Sequence, residues 1–418
     1  MSHWLNRAVS RAEQVSDWLS PQRQISLALL REAQWPTRKT EAWKYTPVHL
    51  LADADFATAA NSELSTAETI NGLNSIELVF TDGVLQSDLS QLPAGLTIVS
   101  LADASSETRQ WAANTFTAAK PAKHLFGLVN DVLATAGVII DVAEGVSIEP
   151  VIRIVHRVSK GCEAHNRILV RIAKHASLTV VEDFSGAEKS FNTGFAEYML
   201  AESAALEHYR FALQTGAALS IGGSHFNLAD KAQLNSTLVG FGSALSRLDV
   251  DVNHTGEHAF AKLNAIYLLD GNELFDLHST IEHIKPNGTS EENVRGIAAD
   301  HSRAVFNGRI HIHRDAQKTL AELNNRNLLM SRNAEINTKP ELEIYADDVR
   351  CAHGATIAEM DKKALYYLQS RGISKTQAQI MLNFGFINEL VDQMPNQILA
   401  EWLRPQLRQR FANMEVTS

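Results

Sequence analysis

A small-residue signature returns along this chain at nearly constant spacing, and it limits the possible folds more than any other feature. Ala176-Ser177-Leu178, Ala204-Ala205-Leu206 and Ala232-Gln233-Leu234 stand 28 residues apart, each at the start of an apolar run. Ala259-Phe260-Ala261 follows after 27, Ala304-Val305-Phe306 after 45 and Ala334-Glu335-Ile336 after 30. A period of this length marks a solenoid or array, whose units bury their apolar faces against one another. The runs themselves (GVIIDV from residue 137, then VIRIVHRV, ILVRIA and LTVVEDF) are short and rich in β-branched residues. That composition favours strands over helices, so the chain reads as mainly β with a β-solenoid core. A large β-sandwich with coincidental alanine spacing is the alternative, since regular turns also mark sandwiches.

Helical patterns flank the core. Ser20-Pro21 places a capping residue before a proline at the first helical position, with Ile25, Leu27, Leu29 and Leu30 following. Trp35-Pro36 ends that helix, because the residue before proline is pushed out of helical geometry. Residues 36–48, PTRKTEAWKYTPV, show no clear period, and IELVF at 76–80 reads as a strand ending at the turn pair Asp82-Gly83. Near residue 361 the texture becomes helical again. Asp361 suits an N-cap, Gly372 a stop, and Ser374 with Gln377 a capping box for a second helix. On that helix Ile380, Phe384, Ile387, Val391 and Met394 form one apolar stripe, and Leu382, Phe386 and Leu390 a second. The first is expected to pack on the solenoid end or the preceding helix. The second implies either a partner groove or burial within the terminal domain. The expected division is a helical domain over 1–75, a β-helix core over 76–360 and a second helical domain over 361–418.

Composition removes several function classes. Forty-eight acidic against 38 basic side chains leave −10, which disfavours nucleic acid as a partner. No run approaches the roughly 20 apolar residues of a membrane span, and the charged start lacks a signal-peptide pattern. The expectation is a cytoplasmic chain with no membrane or nucleic-acid partner. Two cysteines, Cys162 and Cys351, make no disulfide framework and cannot by themselves supply the four thiolates that usually hold an iron–sulfur cluster. There is no phosphate-binding P-loop, dinucleotide fingerprint, nucleophile elbow or His-Glu-x-x-His motif. Solenoids also serve as carbohydrate-cleaving enzymes, which need clustered carboxylates. Asp347 and Asp348 are adjacent, so on a strand they would face opposite ways.

Two constellations carry chemistry. His311 and His313, two apart on an apparent strand, form either a metal-binding pair or a solvated, hydrogen-bonded one, with no evident carboxylate or thiolate to complete a set. Cys351 and His353 likewise share a strand face. They are either two ligands of a soft ion or cluster edge, completed by a partner chain, or an inert buried thiol beside a structural histidine.

The run ELEIYADDVRCAHGAT at 341–356, followed by ALYYLQSRGIS at 364–374, resembles the signature of the SufB/SufD family, from the sulfur-mobilisation system that builds iron–sulfur clusters, and is similar to its SufD side. PTRKTEAWKYTP, RAVFNGRIHI at 303–312 and NRNLLMSRNAEINTKPELEIYADDV match the same family in the same order. The resemblance implies a right-handed parallel β-helix between two helical domains. It implies a non-catalytic scaffold subunit that pairs through its β-helix with the longer paralogue SufB and docks the ABC-type ATPase SufC; a homodimer of the lone chain stays open. His353 falls on the histidine that the family places at the junction of the two β-helices, to help hold a nascent cluster with a cysteine of the paralogue. Cys351 falls on the neighbouring family cysteine. The helices that include Ile380, Leu382, Phe384, Phe386, Ile387 and Leu390 match the ATPase-docking region. The implied cargo is a transient iron–sulfur cluster shared with the partner subunit. A reduced flavin is implied as electron source by the family alone, and no residue here identifies its site.

Overall fold

In a computed structural model, which describes residues 2–58 and 68–414, the chain winds into a β-solenoid of about eight turns. Consecutive strands go to opposite walls, so a sheet of ten strands and a sheet of nine face each other across one interior. Apart from an antiparallel pair at the start of each sheet, Ser75–Thr81 with Val84–Leu85 and Leu96–Ser100 with Ala136–Val142, neighbours run parallel. Registration holds without slip along each wall. Ser177, Ala205, Gln233, Phe260, Thr289, Leu320 and Arg350 are successive partners in the ten-stranded sheet.

The alanine period has a geometric cause. His175, Ser203, Lys231 and His258 take positive φ of 56° to 58°, and each directly precedes Ala176, Ala204, Ala232 or Ala259, all buried. A left-handed residue turns the chain inward, and only a small side chain then fits the corner. The same corner continues at Asn287 and Lys318, with φ of 62° and 59°. Gly288 and Thr319 therefore carry on the series after Ala259. At Gly288 a Cβ would lie 2.7 Å from His283 Nδ1 and 2.9 Å from His254 Nδ1, so even alanine is excluded. Ala304 and Ala334 belong to the opposite wall, within and just before the strands Arg303–Ile312 and Glu335–Ile344. The 45-residue gap is a step from one wall to the other.

Inside, side chains stack in columns along the axis, as one register and a two-residue period dictate. Ile140, Val170, Tyr198, Phe226, Val252, Ile281 and Ile310 form one column of the nine-stranded sheet. Buried polar groups interrupt the apolar interior. Glu182 accepts from Arg210 Nη1 (2.7 Å), Ser224 Oγ (2.8 Å), His208 Nε2 (2.9 Å) and Tyr198 Oη (3.0 Å). Burial alone would raise this carboxyl, but Arg210 and His208 bring it down to about 2.

Helices cover both outer faces. Trp4, Leu5 and Leu30 of His3–Ala12 and Ser20–Glu32 pack with Phe126 and Leu128 onto Phe191, Phe195, Ile221 and Leu245 of the nine-stranded sheet. Two helices on this side, Ser106–Thr115 and Leu125–Leu133, lie beyond residue 75 in the chain. Ser20 does not cap its helix. Its hydroxyl bonds Asp17 instead, while Pro21 sits in the first turn as the sequence suggests. The aperiodic segment crosses the same wall. Trp43 lies under the Arg247 guanidinium at 3.9 Å, and Thr46 Oγ1 donates to Asp276 at 2.6 Å.

On the ten-stranded side three helices follow the solenoid: Lys362–Ser370, Lys375–Asp392 and Gln397–Asn413. Asp361 and Ser374 cap the first two as expected, accepting from backbone N–H groups of Lys363, Ala364 and Gln377. The second and third pack on the wall's flank, not on its end. Ile387, Leu390, Val391, Leu399, Leu403 and Leu407 share a core with the outward side chains Phe211, Val239, Ile266 and Ile297. Among the described residues no helix is long and apolar enough to cross a membrane.

Candidate functional site at the open end of the solenoid

The last turn consists of Glu335–Ile344 on one wall and Arg350–Glu359 on the other, each an outermost strand with a free edge. Among the described residues no further strand pairs beyond it. Cys351 and His353 pair in register with Ala321 and Leu323, both interior residues, so both project toward the axis from the final layer. Cys351 is half-buried and packs on the core, and burial pushes its thiol above the ordinary value. His353, one step along the row, is exposed. Each closes a column: Leu178, Leu206, Leu234, Ala261, Ser290 and Ala321 lead to Cys351. Val180, His208, Ser236, Leu263, Glu292 and Leu323 lead to His353. Ile344 and Ile357 at the same end are exposed, where their register partners one turn earlier, Ile312 and Asn327, are buried. Thiol and imidazole therefore form one surface-facing pair of donors on a rigid strand, set in an apolar rim. Two donors leave most of a metal's coordination sphere open.

His311 and His313 lie on the other wall and outside it. The sequence offers no third donor near them, but the fold brings one. Glu282 stands beside His311 in the register, and its Oε2 accepts from His311 Nδ1 at 2.6 Å and His313 Nε2 at 2.7 Å. The pairing 29 residues back depends on the turn length, which the sequence pattern did not resolve at this point. Asp347 and Asp348 sit at a corner instead of on a strand.

The C-terminal helices divide the six docking candidates. Ile387 and Leu390 are fully covered within the chain, so they are unavailable to another protein. Ile380, Leu382, Phe384 and Phe386 are half-buried. The large apolar side chains exposed on these helices are Met381 on the same helix (52%), Tyr366 and Tyr367 on the preceding one (73% and 57%) and Ile398 on the following one (40%). That preceding helix, Lys362–Ser370, buries none of its residues. Sequence reasoning passed over these tyrosines, although a Tyr-Tyr pair on a short helix without a complete apolar stripe was the available signal.

Two family models match the chain. The SUF system FeS cluster assembly, SufBD core domain, covers residues 156–386, and the SufBD protein N-terminal region covers residues 4–154. The Escherichia coli iron–sulfur cluster assembly protein SufD is 32% identical over 94% of this chain and 93% of its own length. A Synechocystis iron–sulfur cluster assembly SufBD family protein is 28% identical over 89% of this chain and 87% of its own. The Arabidopsis thaliana chloroplastic protein ABCI7 is 27% identical over 94% and 88%.

Proposed function

The chain belongs to the SufBD family of iron–sulfur cluster assembly proteins, and on that premise we propose that it is a non-catalytic scaffold subunit whose open solenoid end is completed by the SufB paralogue. The observation that carries this reading is the unfinished last turn, with His353 and Cys351 on the inward row of an uncapped edge. A free edge exposes a row of backbone donors and acceptors suited to another β-structure. A second solenoid end would cover the exposed Ile344 and Ile357 and bring its own ligands toward His353. The nascent cluster is cargo at that junction. His353 is the main ligand from this chain, because neutral imidazole is a borderline ligand that releases iron more readily than thiolate. Cys351 is secondary, since burial disfavours its thiolate, the form that binds metal.

The ATPase SufC docks on the C-terminal helices in this reading, at Met381, Tyr366 and Tyr367 together with the half-buried Leu382 and Phe386. The complex works in the cytoplasm, and ATP-driven movement of the docked subunit strains the junction through these helices. A reduced flavin, if it serves, binds the assembled complex. The lone chain pairs with itself through the same edge.

The test is anaerobic copurification of the complex with His353→Ala and, in parallel, Tyr366→Ala/Tyr367→Ala. The first variant is expected to assemble with both partners but carry less than about a tenth of the iron and sulfide, a ligand's loss costing at least what loss of its supporting shell does. The second is expected to lose the ATPase and keep the paralogue. Wild-type iron content in His353→Ala refutes the ligand assignment, and loss of its fold would show a structural histidine. If neither partner accompanies the wild-type chain, the scaffold reading fails.

A further inference from the structure

The outer wall of the solenoid holds a second group of donors, separate from the Cys351–His353 row, on the opposite sheet and the opposite face. Glu282, His311 and Glu343 are consecutive partners across three strands, and Arg309 lies two residues before His311 on the same face. The cluster is braced from several sides. Arg309 Nη1 donates to Glu282 Oε1 at 2.7 Å, and its Nε and Nη2 donate to the Glu343 carboxylate at 2.9 Å each. This leaves Glu282 Oε2 aimed at the two imidazoles. The rings of His311 and His313 lie 4.2 Å apart, and Tyr345 packs edge-on against His311 at 5.4 Å. The backbone N–H of His313 donates to His283 O at 2.9 Å, so the residue just past the strand end is held as well.

We propose that Glu282, His311 and His313 form a binding site for one divalent first-row transition-metal ion. Their three donor atoms lie within 4.8 Å of one another. Two imidazole nitrogens and one carboxylate oxygen suit Zn²⁺ and its neighbours, whereas Ca²⁺ and Mg²⁺ require more oxygen donors. Binding is ligand exchange without redox change. The ion enters at about 2.0–2.2 Å from each donor. Each neutral ring offers the nitrogen that now bonds Glu282, and its proton moves to the other ring nitrogen. The O···N separations, 2.6 and 2.7 Å in the hydrogen-bonded form, widen by less than about 1 Å to span a tetrahedral edge. Arg309 is an unfavourable neighbour, since its positive charge sits beside the ion's place. Glu282 and Glu343 outweigh it by one negative charge, and its hold on Oε1 fixes the carboxylate as an outer-shell partner does.

The experiment uses the full-length chain without a histidine tag, titrated with Zn²⁺ in competition with a chromophoric chelator. Wild type and Cys351→Ser/His353→Ala are expected to bind one ion with equal affinity. His311→Ala, His313→Ala and Glu282→Gln are each expected to bind at least about tenfold more weakly, the lower bound for losing even an outer-shell partner. Undiminished binding in Glu282→Gln reduces the site to a surface histidine pair and overturns the proposal, as does loss of the ion in the Cys351/His353 variant. X-ray absorption of the Zn²⁺-loaded wild type decides the matter even where a variant misfolds: two imidazoles without sulfur support the site, and sulfur ligation refutes it.

Discussion

Glu292 should make the fold less stable as pH rises, and Glu292→Gln should abolish that dependence. The carboxyl lies inside the solenoid between Leu263 and Leu323, 1% exposed, with one hydrogen bond, from Ser279 Oγ at 2.6 Å. Among the described residues no cation pairs with it, in contrast to Glu182, which has Arg210. Burial raises its pKa from 4.5 to about 7, against the smaller downward pull of Ser279. Because the folded value is the higher, the stabilising contribution is complete below pH 4.5 and is lost as pH rises through about 7. At about 1.4 kcal/mol per unit, the loss amounts to about 3 kcal/mol by pH 8.5. Glutamine keeps the shape and the acceptor without titrating. Urea unfolding at intervals between pH 4.5 and 9 should therefore give curves that lie close together at the acidic end and diverge by about 3 kcal/mol at the alkaline end, with the variant more stable. A difference between the two proteins that does not change with pH would refute the reasoning.

Ile387→Ala should cost about 2–5 kcal/mol, as an emptied core site does, because its side chain joins the C-terminal helices to the ten-stranded wall. Denaturant unfolding measures this, and a cost below 1 kcal/mol would mean the helix is held elsewhere. At the corner residue Lys231, with φ of 56°, Lys231→Val should lose stability, because a β-branched side chain is a genuine outlier in the left-handed region, while Lys231→Gly loses nothing. Equal stability of these two variants would remove the left-handed corner as the source of the period.

The solenoid was legible because its corners impose a steric rule that recurs in the sequence. The rule survives substitution only while alanine fills the corner. At Gly288 and Thr319 other small residues meet the same need, and a search for alanine crosses to Ala304 on the opposite wall. The strand at 76–80 and the caps at Asp361 and Ser374 were readable because turn and cap chemistry is local. The final helix, Gln397–Asn413, was not read, as Pro405 in its interior masks the Leu399, Leu403, Leu407 spacing. The shared face of Cys351 and His353 follows from strand geometry alone. That this face closes the last layer depends on where the turns stop, which no local pattern records. Glu282 was missed for a related reason: its place beside His311 is fixed by the length of a whole turn.

The corners also differ in length where the strands do not. Residues 173–176, 201–204 and 229–232 make corners of four, 255–259 and 284–288 of five, and 313–319 of seven, while the strands around them keep one register. Insertions and deletions in this lineage should therefore gather at the corners, above all at 313–319, already the longest of these. A single residue gained within Leu274–His283 would instead turn every later side chain of that strand to the wrong face, moving Ile281 out of the interior. Length variation among relatives then becomes a ruler: gaps in an alignment should recur about every 14 residues, half a turn apart, and mark the corners without any structure.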